Sequence, residues 1–125
     1  MSLGGDFFVG VTGIGVLLLI LLISICSNSE SLIVVDVRKE IEFGDGHVKD
    51  AMNIPLGSMI DPASMANFED SDNLYVHCAG GYRSVIAASL LKRQGIHNLR
   101  NVLGGWSKIK DEPKIEKEKE AAILN

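Results

Sequence analysis

The stretch Leu74–Ser84 reads LYVHCAGGYRS, and how it is read decides the fold. An apolar, partly β-branched run ends in a cysteine, two glycines follow, and four residues separate Cys78 from Arg83. Immediately downstream, SVIAASLLKRQG carries Val85, Ile86, Ala87, Leu90 and Leu91 on one helical face. Lys92 and Arg93 fall in its last turn and Gly95 is its stop signal. The unit is therefore strand, glycine-bearing loop, helix. Its loop amides and the positive helix end converge on whatever sits in the loop and favour an anion there. A cysteine so placed is expected to ionise more easily than a free thiol, and the thiolate is the reactive form. Arg83 adds a fixed positive charge, and Gly80 and Gly81 let the backbone curl tightly around a bound group. A cysteine serving only as a small buried hydrophobe would need none of these companions.

Working outward, the same alternation recurs. Leu32–Val35 is a continuous apolar run, as in a strand buried on both faces, and ends at Asp36. Glu40–Phe43 reads as a short helix before the turn signal GDGH. Ala51–Leu56 reads as a short strand stopped by Pro55. Asp61 and Pro62 open another short helix as cap and first residue, ending near Phe68. Leu99–Leu103 supplies a further strand before Gly104-Gly105-Trp106. Strands alternating with helices predict an α/β layer, a central, mostly parallel sheet flanked by helices on both faces. Sites in such sheets gather beyond the carboxyl ends of strands, where Asp36 and Cys78 both fall.

At 125 residues the chain is one domain's worth, with 46% hydrophobic and 22% charged residues. A net charge of −4 argues against a nucleic-acid partner, which demands concentrated Lys and Arg. Two cysteines make no disulfide framework, and the three histidines lack metal-ligand spacing, so neither metal nor cofactor is expected. Residues 111–125 form a charged tail; from Ser107 onward five lysines balance five acids, which reads as a solvated helix or frayed end.

Residues 1–31 hold an unusual apolar segment. From Phe7 to Cys26 the chain reads FFVGVTGIGVLLLILLISIC, twenty residues without a charge, long enough for one helical membrane crossing. A secretory signal fits less well, because MSLGGD carries no Lys or Arg. If residues 7–26 span, Arg38 and Lys39 on the following flank put the remainder in the cytoplasm. The competing reading is a buried helix in LLLILLISI preceded by a short strand, with Gly10, Gly13 and Gly15 suiting a turn near Thr12.

HCAGGYRS resembles the active-site loop of the rhodanese family of sulfurtransferases. DVRKEIEFGDGHVKDAMNIP resembles that family's first signature and NVLGGW its closing glycine-glycine-aromatic motif, so the likeness covers almost everything after residue 31. The loop and RQGIHNLRNVLGGW also resemble the terminal rhodanese domain of fusions with a metallo-β-lactamase-fold persulfide dioxygenase. The resemblance implies a rhodanese core over residues 32–110 in which Cys78 takes a sulfane sulfur, becomes a persulfide and passes the sulfur on. Thiosulfate or a low-molecular-weight persulfide such as glutathione persulfide would be the donor. A thiol, cyanide or a sulfur-acceptor protein would be the acceptor. Two alternatives stand beside it. One is a relay or partner-binding module of the same fold. The other is a cysteine phosphatase, whose loop has one residue more between Cys and Arg, and whose chemistry wants a general acid that nothing here singles out.

Ala79, Gly80, Gly81, Tyr82, Arg83 and Ser84 are then the loop's binding positions, with Tyr82 at the entrance and Arg83 on an anionic donor or an acid. Ser84 is expected to cap the helix rather than bond the sulfur. Family analogy pairs Arg38 with a carboxylate such as Glu42, with Asp36 nearby, to steady the rim. His47 is expected to pack and hydrogen-bond, and His77 to point to the face opposite Cys78. Asp50 stands where the family usually has glycine.

Overall fold

The apolar runs become the strands of one sheet. A computed structural model describes residues 12–25, 32–66, 68–69 and 72–119. Strands β1 (Thr12–Ile14), β2 (Leu32–Asp36), β4 (Met52–Asn53), β5 (Asn73–His77) and β6 (Leu99–Val102) form a five-stranded sheet in the order β1-β6-β5-β2-β4. Every pairing in it is parallel, and β2 runs beside β5 from Leu32↔Asn73 to Asp36↔His77. The central strands therefore end level, with Asp36 and His77 side by side and Cys78 one residue beyond.

Two apolar layers follow from the strands' period of two. Ile33, Val35, Leu74, Val76, Cys78 and Leu99 face helix α4 (Tyr82–Arg93), packing on Ala87, Ala88 and Leu91. Leu32, Val34, Tyr75 and Val102 face the other way, toward α1 (Val16–Ile25) and α5 (Gly105–Ile109), which contribute Leu19 and Ile109. Burying a leucine completely, as at Leu74 and Leu91, stabilises by about 1.5–3 kcal/mol. The fold is a rhodanese-like α/β layer with helices on both faces of a parallel sheet. Helix α2 (Glu40–Asp45), a 3-10 turn (Leu56–Ser58) and α3 (Pro62–Met65) complete the connections. Asp61 caps α3 through its side chain, which accepts from Ala63 N at 2.9 Å, but α3 stops at Ala66, short of Phe68.

Over its described residues the apolar N-terminal run does not form the membrane span that its hydropathy permits. It divides into β1, bonded to β6, and a ten-residue α1. A helix of that length is about 15 Å long, half of a bilayer core of about 30 Å. Among the described residues no helix is long and apolar enough to cross a membrane. Ile14 and Leu19 are buried in the sheet's second layer, whereas Leu17, Leu18 and Leu21 remain exposed. Residues 7–11 and 26 of that run lie outside the described residues.

The charged tail also departs from expectation. Ile115 is buried among Val34, Val48 and Ile109, and β7 (Lys117–Glu118) pairs antiparallel with β3 (His47–Val48). One apolar residue among the charges anchors a short strand where a solvated helix or frayed end was expected; residues 120–125 lie outside the described residues. Both flanking segments thus donate strands to the 32–110 core.

Candidate active site

Cys78 leaves β5 at the sheet's carboxyl edge, and Ala79-Gly80-Gly81 turn the chain into α4. Gly81 sits at φ 107° as the residue before the helix, a conformation that L side chains rarely adopt. The turn aims the Gly81 amide at the thiol, with N–H donating to Sγ at 3.1 Å. Cys78 is almost wholly buried, its sulfur at the floor of the loop. Burial pushes the thiol up. The Ser84 hydroxyl and the amides of Ser84, Gly81 and Gly80 oppose that and prevail, holding it below its ordinary value. Such an arrangement can keep a sulfur anion and offer it as a nucleophile.

The closing Gly-Gly-Trp segment buttresses this loop. Trp106 N donates to the Cys78 carbonyl at 2.7 Å and Ser107 N to the Ala79 carbonyl at 2.9 Å. Gly105, at φ 52°, lies so close that an added Cβ would collide with the Cys78 carbonyl oxygen. The Cys78 carbonyl also receives His77 Nδ1–H at 3.1 Å, since a carbonyl can only accept. His77 lies on the opposite face from the thiol. Burial pushes it down, against the pull of Asp36, whose Oδ2 is 3.7 Å from Nε2.

The supporting charges pair differently from the expectation. Arg38 does not pair with Glu42. Its guanidinium grips Asp36 (Nε to Oδ1 3.0 Å, Nη2 to Oδ2 2.7 Å), donates to the Gly46 carbonyl at 2.7 Å and stacks over Trp106, 4.7 Å from the ring centroid. Pair and carbonyl are buried, so Arg38 supports the floor rather than the rim. Glu42 instead takes Arg83 in two parallel bonds of 2.7 and 3.1 Å. Arg83 draws the Glu42 carboxyl down to about 2, against burial, with help from the Lys39 amide. Arg83 is thus held by an acid, the second of its two expected roles. The choice of partner follows reach: Arg38 sits two residues beyond Asp36 as the strand ends, and Glu42 emerges on α2 facing α4.

Ser84 is not the cap of α4. Gly81 holds that place without a side-chain bond, and Ser84 is buried with its hydroxyl donating to Asn101 Oδ1 at 2.6 Å. Tyr82 is 79% exposed on the first turn. His47 stacks on Phe43, donates Nδ1–H to the Phe43 carbonyl at 2.7 Å and meets Glu118 at 3.1 Å. It therefore ties α2 to β7 rather than joining Cys78. Asp50 has φ 65°, the left-handed conformation that explains glycine's suitability there. Asn101 escaped the sequence reading. The only signal was a polar residue on a buried strand.

A parallel sheet ending in a cysteine within an amide-lined loop is the arrangement expected of the rhodanese resemblance, and sequence comparison shows the family. The rhodanese-like domain family matches residues 23–112, and the chain belongs to that family. A putative sulfur carrier protein of Bacillus subtilis, YrkF, is 36% identical over 78 residues, 62% of this chain and 41% of that protein. A putative mitochondrial thiosulfate sulfurtransferase of Schizosaccharomyces pombe is 28% identical over 99 residues, 70% of each chain. The chain therefore spans less than half of the first relative's length. The crystal structure of a rhodanese-like domain protein from Staphylococcus aureus superposes with a TM-score of 0.67 at 28% identity, covering 84% of this chain and 96% of that one.

Proposed function

We propose that this protein is a sulfurtransferase in which Cys78 carries the transferred sulfur. The observation that carries the reading is the Gly81 amide on Cys78 Sγ at 3.1 Å, with the Gly80 and Ser84 amides also acting on that atom. The Cys78 thiolate attacks the outer sulfur of thiosulfate. The donor S–S bond breaks, sulfite departs with the bonding electron pair, and Cys78 is left as a persulfide anion. With glutathione persulfide the leaving group is the glutathione thiolate. An acceptor thiolate or cyanide then attacks the outer sulfur and releases the Cys78 thiolate, giving two half-reactions and ping-pong kinetics. Ala79, Gly80, Gly81 and Ser84 hold the anion, and Tyr82 and Arg83 border the approach. Asp36 and Arg38 fix the floor, while His47 and Glu42 fix α2. The relatives named as putative sulfur carrier and putative thiosulfate sulfurtransferase support sulfur transfer in general.

Phosphoryl transfer suits the geometry less well. Only four residues separate Cys78 from Arg83, and the Arg83 guanidinium is engaged by Glu42 rather than free for phosphate oxygens. The test is intact-mass spectrometry after incubation with thiosulfate or glutathione persulfide. One added sulfur is expected, absent in Cys78→Ser. No addition, or equal addition to the variant, overturns the reading.

A further inference from the structure

Beneath the thiol lies a hydrogen-bond chain whose far end, Asn101, has no part in the sulfur transfer described above. Cys78 Sγ is 3.6 Å from Ser84 Oγ, and Ser84 Oγ donates to Asn101 Oδ1 at 2.6 Å. Cys78 and Ser84 are 1% and 0% exposed and Asn101 5%, so the sulfur end of the chain is out of reach of bulk water. In this arrangement the chain runs away from the sulfur: S–H donates to Oγ, and Oγ–H donates to the carboxamide oxygen. An ionised sulfur has no proton to give and wants one pointed at it. Ser84 owns a single proton. Turning that proton toward sulfur would leave Oγ and Oδ1 facing each other as two acceptors. A carboxamide escapes this by presenting its other end. Asn101 Nδ2 makes no hydrogen bond of its own among the described residues, so rotating the group sacrifices nothing else.

We propose that Asn101 is a positioning residue that reverses this chain, offering its oxygen to Ser84 while Cys78 is a thiol and its amide while Cys78 is an anion. The proposal rests on Cys78 as the nucleophile. No proton passes along the chain. The thiol proton leaves to solvent, Ser84 keeps its own proton and re-aims it from Oδ1 to sulfur, and Nδ2–H takes the vacated place. The persulfide anion is served by the same orientation as the thiolate. An acceptor-only group at position 101 would lock the chain in the thiol direction.

Asn101→Asp tests this at nearly unchanged size. Alkylation of Cys78 by iodoacetamide, followed by peptide mass mapping, is expected to slow about tenfold near neutral pH as its profile moves up by about one unit. In a Ser84→Ala background the same substitution is expected to change the rate by less than about threefold, because the intermediary is gone. Equal slowing in both backgrounds would reduce the effect to the new charge's field and overturn the proposal, as would no slowing in either. A second readout needs no variant of Asn101. Its side-chain amide proton resonances should titrate in the wild-type protein with the midpoint of the alkylation curve and stay flat in Cys78→Ser. Flat resonances in the wild type overturn the proposal. Both readouts follow thiol ionisation, so a protein that passes them yet takes up no sulfur sinks the transferase reading alone.

Discussion

Two arginine–carboxylate pairs stand on either side of the Cys78 loop, and the same chemistry does different work in each. Asp36–Arg38 is sealed beneath the loop, with side chains 0% and 4% exposed, whereas Glu42–Arg83 spans the rim at 34% and 28%. The buried pair is bonded on nearly every side, to the Gly46 carbonyl and against Trp106, whose own amide holds the Cys78 carbonyl. Charge below the floor is therefore committed to holding the backbone in place. Charge on the rim is solvent-screened and replaceable. Depth decides whether an ion pair fixes a site or tunes it.

The largest effect should come from below. Arg38→Leu strands the Asp36 carboxylate in the interior and is expected to lower unfolding free energy by about 3–5 kcal/mol in a urea titration. A loss under 1 kcal/mol would make the two pairs equivalent and break the contrast. Gly105→Ala comes next. It puts a methyl group on a left-handed residue and against the Cys78 carbonyl, with an expected cost of about 1–3 kcal/mol and a slower-alkylating thiol. If stability falls while thiol reactivity holds, the buttress does not govern the loop.

Glu42→Gln should be the mildest, at or below about 1 kcal/mol near neutral pH and shrinking with added salt. The Glu42 carboxyl is drawn down from its usual 4.5 to about 2, so the folded chain favours its ionised form. Its stabilising share is complete above the unfolded value and fades as pH falls from about 4.5 toward 2. Melting curves of wild type and Glu42→Gln should therefore converge in acid, and a gap that persists there contradicts the pairing. Releasing Arg83 should also lower KM for a doubly charged donor by about two- to five-fold.

The strand-loop-helix unit was legible because every local signal in LYVHCAGGYRS and the following helix agreed. The pairing of the arginines was not, since Arg38 has acids close in sequence both on its own strand end and on α2. Only the strand's exit direction chooses Asp36. Hydropathy could not say whether residues 7–26 meet lipid or protein, because Leu19 needs an apolar neighbour of either kind. The lysine-glutamate alternation of the tail concealed Ile115, a single residue whose buried seat against Val34 and Ile109 turns the segment into a strand. Asn101 was hidden for a related reason: one asparagine on a strand carries no pattern until Ser84 is placed opposite it.

The three residues of β1 carry a consequence for the molecule's behaviour in crowded solution. By bonding along Thr12–Ile14, they occupy the outer margin of β6 that would otherwise offer bare amides and carbonyls to any passing chain. Trimmed back to residue 32, the polypeptide would present that margin beside uncovered Val102 and invite strand addition from its neighbours. With β1 in place the sheet closes at this end on an edge of three residues rather than the four of β6, and Val102 stays covered.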